Sequence, residues 1–157
     1  MSGVSNAIGR TFWSGTYAGI CMSAAVGLIG KITVGRAVSP LNAISHIIWG
    51  KRAAQSNDWS LKYTASGLLL NQLACLFWAA CYESTIRRKR PAGVSTAAAV
   101  SILAYLTDYH VVPRRFTPGF ELIFPRRLFP WLYAALAGSL VAGVRMRRHR
   151  RPQASRR

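Results

Sequence analysis

The sequence predicts an all-α integral membrane protein, with four transmembrane helices in two hairpins and a short interfacial helix. Three observations lead there. Half of the 157 residues are hydrophobic, and they gather into four blocks instead of forming amphipathic stripes. Gly and Ala are frequent inside the blocks, as in membrane helices generally. The 21 Lys and Arg stand against only Asp58, Glu83, Asp108 and Glu121, and most of the bases lie between or beyond the blocks. Finally, small residues recur every fourth position at Gly15, Gly19, Ser23 and Gly27. On a helix that spacing makes a thin stripe, which lets a second backbone come close in lipid.

The elements follow in order. Residues 1–11 read as a mobile polar lead. The first span, residues 12–31, has no charge between Phe12 and Gly30 and is long enough to cross the hydrocarbon core. Phe12 and Trp13 mark one interface and Lys31 the other. No cleavable signal peptide is recognised, because the apolar run is long and no A-x-A-like site follows it. In the first connection, Ser39-Pro40 is a good helix start, with Ser as N-cap and Pro at the first helical position. Leu41, Ile44, Ile47 and Ile48 then recur at helical spacing, with Asn42, Ser45 and His46 on the remaining surface and Gly50 as the stop. This piece is too short to span and reads as an amphipathic helix over 40–49 lying in the interface or dipping between the spans. Residues 51–60 read as a polar loop.

The second span, 63–82, carries Asn71 and Gln72 near its centre, where amides need partners and interhelical hydrogen bonds are the ordinary ones. Glu83 and the run Arg87, Arg88, Lys89, Arg90 end it, and Pro91 marks the break. The third span, 93–108, is short, so local thinning or burial of its end is expected. Three prolines and four arginines in 111–127 predict irregular backbone. The fourth span, 128–144, opens with Phe129, Trp131 and Tyr133 and has its own small stripe, Ala134, Gly138 and Ala142. Residues 1–144 thus form one transmembrane domain, and 145–157 an Arg-rich tail that is solvated or lies along headgroups.

A shift of 78 residues aligns Gly15 with Gly93, Gly19 with Ala97, Ser23 with Ser101, and Ser39-Pro40 with Thr117-Pro118. This suggests an internal repeat with a pseudo-two-fold axis along the membrane normal. Placing both termini on one side gives that side twelve bases and the other nine, which puts the termini in the cytoplasm.

Three sets of candidate functional residues emerge. The helix-packing set is Gly15, Gly19, Ser23, Gly27, Asn71, Gly93, Ala97, Ser101, Ala134, Gly138 and Ala142, used within one bundle or for dimerisation. The lipid-headgroup set is Arg87, Arg88, Lys89, Arg90, Arg114, Arg115, Arg126 and Arg127, bases abutting apolar spans and suited to anionic lipid. The metal set is His46, Asp108, His110 and Glu121, which fall at one membrane face and could ligate a divalent cation or relay protons. No dedicated ligand spacing joins those four, and the neighbouring arginines offer salt bridges instead. The three cysteines, Cys21, Cys75 and Cys81, lie inside spans and form no CxxC pair, so they read as buried thiols.

No G-x-S-x-G, phosphate-binding glycine loop, H-E-x-x-H or usefully spaced carboxylate pair is present, so the sequence points away from an enzyme and implies no cofactor. The bases next to apolar spans read as lipid-facing in preference to nucleic-acid-binding. The expected role is a structural or accessory membrane component, with lipids, protein partners or further copies of itself as partners. Two alternatives are a small permease or proton pathway around Asn71, Asp108 and His110, and metal or haem binding by His46 and His110 at the outer face.

The pattern Gly15-x-x-Ala18-Gly19-x-x-Met22-Ser23, followed by Lys31, Pro40 and Ile47-Ile48-Trp49-Gly50, resembles small uncharacterised four-span inner-membrane proteins of Gram-negative bacteria. The resemblance covers mostly residues 15–50. It implies a helical fold in a bacterial inner membrane and brings no catalytic or ligand residues.

Overall fold

The computed structural model describes residues 2–86 and 93–149, and among these all regular structure is helical. Seven α-helices are formed: α1 (Ser2–Val34), α2 (Ser39–Ile44), α3 (His46–Trp49), α4 (Lys51–Gln55), α5 (Tyr63–Thr85), α6 (Val94–Leu106) and α7 (Phe129–His149). Three helices are long and apolar enough to cross a membrane: Ser5–Val34, Tyr63–Thr85 and Arg126–His149, the last including the turn before α7. Their outward faces are apolar too. Ile20, Leu69, Phe77 and Trp131 are all exposed, as expected of helices that meet lipid on one side and protein on the other.

The first helix is the axis of the bundle. Its 33 residues reach about 50 Å, and α5 and α7 both run antiparallel to it. Along α5 the pairing is Gly15 with Leu76, Gly19 with Gln72 and Ser23 with Asn71. Along α7 it is Ser14 with Gly143 at one end, with Met22 sharing a cavity with Leu132 and Leu136 further along. The core between these helices comprises Ala18, Met22, Val26, Cys75, Trp78, Leu132, Leu136 and Leu140. Outside this trio, α6 packs mainly on α7 through Ala97, Val100 and Ala104. Tyr82 ties the start of α6 to α5, its hydroxyl donating to the Gly93 carbonyl at 3.1 Å.

Several expectations are corrected. Residues 2–11 are already helical, so the polar lead is the first part of α1. The interfacial helix over 40–49 is two short helices, and the first of them is buried on all sides, Leu41 and Ile44 included. Asn42, Ser45 and His46 are buried while Ile48 and Trp49 are exposed. The break falls at Ser45, whose hydroxyl donates to the Asn42 carbonyl at 2.8 Å. Asn42 explains how the polar side of α2 can be buried too. Its amide donates to the carbonyls of Ser56 and Asp58 at 2.9 and 3.0 Å and accepts from Thr64 at 2.6 Å. A polar side chain with partners on two other segments is worth more inside than in the headgroup layer. Residues 51–55 form α4, not loop. Ser39 is not the N-cap of α2, since Val38 holds that position and the Ser39 hydroxyl donates to Asn57 Oδ1 at 2.8 Å.

The third span is not one α-helix of sixteen residues. α6 ends at Leu106 and passes into a π-helical turn, Thr107–Val111. The irregular stretch that follows holds three single 3₁₀ turns, Arg114–Phe116, Phe120–Leu122 and Arg126–Leu128, preceded by Pro113, Gly119 and Pro125. Gly119 has φ of +80°, and a Cβ there would strike the Ala43 carbonyl and stand 2.8 Å from His46 Nδ1. Only glycine combines that backbone with that proximity. Helix α7 continues through His149, and Arg147 is buried, so the start of the predicted tail belongs to the bundle. The segments matched by the 78-residue shift also fold differently. Gly15 presses on α5, whereas Gly93 caps α6.

Candidate functional site

A groove of about 1930 Å³ runs between α6 and α7 and opens at one end onto the two connections. It exceeds the roughly 300–1,000 Å³ of ordinary small-molecule pockets. The geometry begins with an aromatic cluster at its mouth. Tyr109 stacks on Phe129 with ring centres 4.7 Å apart, and Tyr105 meets Tyr133 edge-on at 5.4 Å and His110 at 5.6 Å. Tyr109 and His110 are placed there by the π turn. Around the mouth stand Lys51, Arg114, Arg115 and Arg126, brought together by α4 and the turns at either side of Gly119.

Glu121 also faces this mouth. Its carboxylate accepts from the Thr117 hydroxyl and, at 3.3 Å, from the Tyr109 hydroxyl. His46 lines the same mouth from α3, with Nδ1 2.9 Å from the Ala43 carbonyl. A carbonyl only accepts, so Nδ1 carries the ring hydrogen and Nε2 is the basic nitrogen.

Asp108 faces away from this group. It accepts from the Tyr133 hydroxyl at 2.6 Å and lines a second, smaller cavity of about 310 Å³ on the α1–α5 side, walled largely by apolar side chains. Tyr133 borders both cavities and forms the partition between them.

The four residues expected to hold a metal therefore do not make one ligand set. His46, His110 and Glu121 share the groove mouth, but Asp108 belongs to the other cavity. Among the described residues, no three His, Cys, Asp or Glu side chains come together in a group that could hold a metal ion. Both oxygens of Glu121 are already engaged in hydrogen bonds. Nor do Asp108 and Glu121 pair with the arginines of their connection; hydroxyl groups serve them instead.

The helix-packing residues divide into four groups. Gly15 and Gly19 press on α5, and Ser23 accepts from Asn71 Nδ2 at 2.9 Å, while the same amide reaches the Gly19 carbonyl at 3.3 Å. Gln72 donates to the Gly15 carbonyl at 3.2 Å. Gly27 faces no helix but the backbone at Ala37, 3.6 Å from an added Cβ. Ala97 and Ser101 are buried on α6. The stripe Ala134, Gly138, Ala142 packs against no helix and lines the open groove, where a Cβ added at Gly138 would meet nothing within 4 Å. The packing glycine of α7 is Gly143, one residue further on, set against the Ser14 backbone.

Of the headgroup residues, Arg114, Arg115 and Arg126 line the groove mouth, while Arg127 is exposed and does not. Arg87, Arg88, Lys89 and Arg90 lie outside the described residues.

Comparison with protein-family models, curated proteins and solved structures finds no match.

One site escaped sequence reasoning. Glu83, read as an interface marker, is buried, and Arg147 Nη2 donates to it at 2.9 Å while Arg10 Nε stands 4.0 Å from its other oxygen. The signal was present: a lone carboxylate at the end of an apolar span needs a base at the same depth, and the predicted topology puts Arg10 and the Arg145–Arg148 region there.

Proposed function

We propose that this chain is a non-enzymatic, four-span integral membrane protein that acts as a structural or accessory component of a bacterial inner membrane. One observation carries the reading. The two amides and the carboxylate of α5 are engaged in joining helices to one another. Asn71 and Gln72 bind α1 backbone and Ser23, and Glu83 joins three helices. Side chains used this way hold a bundle together in lipid.

In this reading α6 and its π turn provide the fourth crossing. Val94–Val111 is 18 continuous helical residues, about 25 Å long, which sits at the short end of what spans a bilayer. The Arg10, Glu83 and Arg147 end faces the cytoplasm, in keeping with the excess of bases on that side. Single cysteines placed in a cysteine-free version test this. An impermeant maleimide added to intact cells should label residues in 35–62 and 111–127 but not in 87–92. Labelling of 87–92 together with 111–127 would show that α6 does not cross.

A second reading, a proton pathway, is favoured by Asp108 and Tyr133 joining the two cavities. Reconstituted liposomes should then lose proton flux on Asp108→Asn; equal flux in both proteins removes this reading.

A further inference from the structure

We propose that the groove between α6 and α7 is a discrete site for one anionic phospholipid, with its phosphate at Lys51, Arg114, Arg115 and Arg126 and an acyl chain along the stripe Ala134, Gly138 and Ala142. The inference rests on the membrane reading above. Two independent features of the groove match the two halves of such a molecule.

The first is charge. Four exposed cationic side chains line the mouth, from α4 and from two separate 3₁₀ turns, and among the described residues Glu121 is the one carboxylate that lines it, its oxygens accepting from the Thr117 and Tyr109 hydroxyls. No ion pair engages the four bases among the described residues. Guanidinium forks match phosphate oxygens in geometry as well as charge.

The second is shape. Beyond the mouth the walls are mainly apolar, with small residues on α7 and with Arg145 and His149 at the far end. Ala134, Gly138 and Ala142 leave a channel on α7 where a neighbouring helix would otherwise sit, and Ala98, Ser101 and Ile102 face it from α6. From Arg126 to Arg145 the groove follows α7 for nearly the thickness of a hydrocarbon core, about 28 Å. A chain descending from the mouth therefore reaches mid-bilayer beside Gly138. Arg127 supplies an internal control. It has the same charge and the next position in sequence, yet it stays outside the groove.

The test is native mass spectrometry of the full chain extracted in mild detergent, with phosphatidylglycerol titrated in against a zwitterionic lipid background. One phosphatidylglycerol per chain should be retained. Each headgroup arginine contributes roughly fivefold in affinity, so Arg114→Gln/Arg115→Gln/Arg126→Gln together should weaken retention on the order of a hundredfold. Arg127→Gln should leave it unchanged. Gly138→Leu narrows the channel beside α7 without touching the charges and should also weaken retention, which keeps the proposal falsifiable if the triple variant fails to fold. Equal losses for Arg127→Gln and Arg126→Gln, unaltered retention in Gly138→Leu, or a lipid-free dimer of the wild type would each overturn it. Alkaline carbonate extraction of the same membranes reports separately on the membrane reading, since a protein that is not integral leaves with the wash.

Discussion

Glu83 on α5 and Arg147 on α7 meet at 2.9 Å with both side chains almost fully buried, and Arg10 of α1 closes on the same carboxylate. Three helices are joined through one acidic group. Removing it takes the counter-charge from beside a buried guanidinium, a loss of about 3 kcal/mol or more. Glu83→Gln should therefore lower the unfolding free energy by that order in a detergent or mixed-micelle titration. Glu83→Leu combined with Arg147→Met should recover part of the loss. Equal stability of wild type and Glu83→Gln would show the contact to be energetically idle.

The Asn71–Ser23 hydrogen bond, 2.9 Å between α5 and α1, is measurable by a double-mutant cycle. Interhelical hydrogen bonds in membrane proteins contribute about 0.6 kcal/mol on average and about 1.7 at most. Asn71→Leu, Ser23→Ala and the double variant should give a coupling in that range. A coupling of zero would mean that Asn71 is held by the Gly19 carbonyl alone.

Glycines on α7 separate packing from space. A methyl at Gly143 runs into the Ser14 carbonyl, which is backbone and cannot step aside, whereas a methyl at Gly138 meets nothing within 4 Å. Gly143→Ala should destabilise by about 1–3 kcal/mol through overpacking. Gly138→Ala should be neutral or stabilise by up to about 1 kcal/mol through helix propensity. Thermal aggregation in detergent ranks the two, and the reverse order would contradict the α1–α7 packing.

Asn42 holds the first connection shut. Asn42→Ala leaves the Ser56 and Asp58 carbonyls and the Thr64 hydroxyl without their partner, at about 3 kcal/mol in all. Limited proteolysis should then cut within 56–62 faster than in the wild type. Unchanged resistance would mean that the connection is held elsewhere.

Much of the bundle is legible from composition, because uncharged apolar runs and flanking bases report directly on lipid. The start of α5 at Tyr63 and the Gly15–Gly19–Ser23 contact with α5 follow from such patterns. What the pattern hides is how deeply a short element is buried. Leu41, Ile44, Ile47 and Ile48 have helical spacing, but Asn42 and Thr64 lie far apart in sequence, and their hydrogen bond lets the polar side be buried as well. The groove was hidden for a related reason. Ala134, Gly138 and Ala142 have the same spacing as Gly15, Gly19 and Ser23, and nothing local distinguishes a stripe that receives a helix from one that leaves a channel.

The interface of α1 with α7 has a consequence for assembly. It is the most extensive helix contact in the fold, yet α7 begins only at Phe129, long after Val34 has ended α1. In the membrane reading proposed above, α1 and α5 enter the bilayer during synthesis with one side of their shared core open. Gly143 and Arg147 then arrive last and lock it. A chain that loses α7 would thus expose Ser14, Ala18 and a carboxylate at Glu83 to the bilayer, marking unfinished copies for quality-control proteases that read polar groups in lipid.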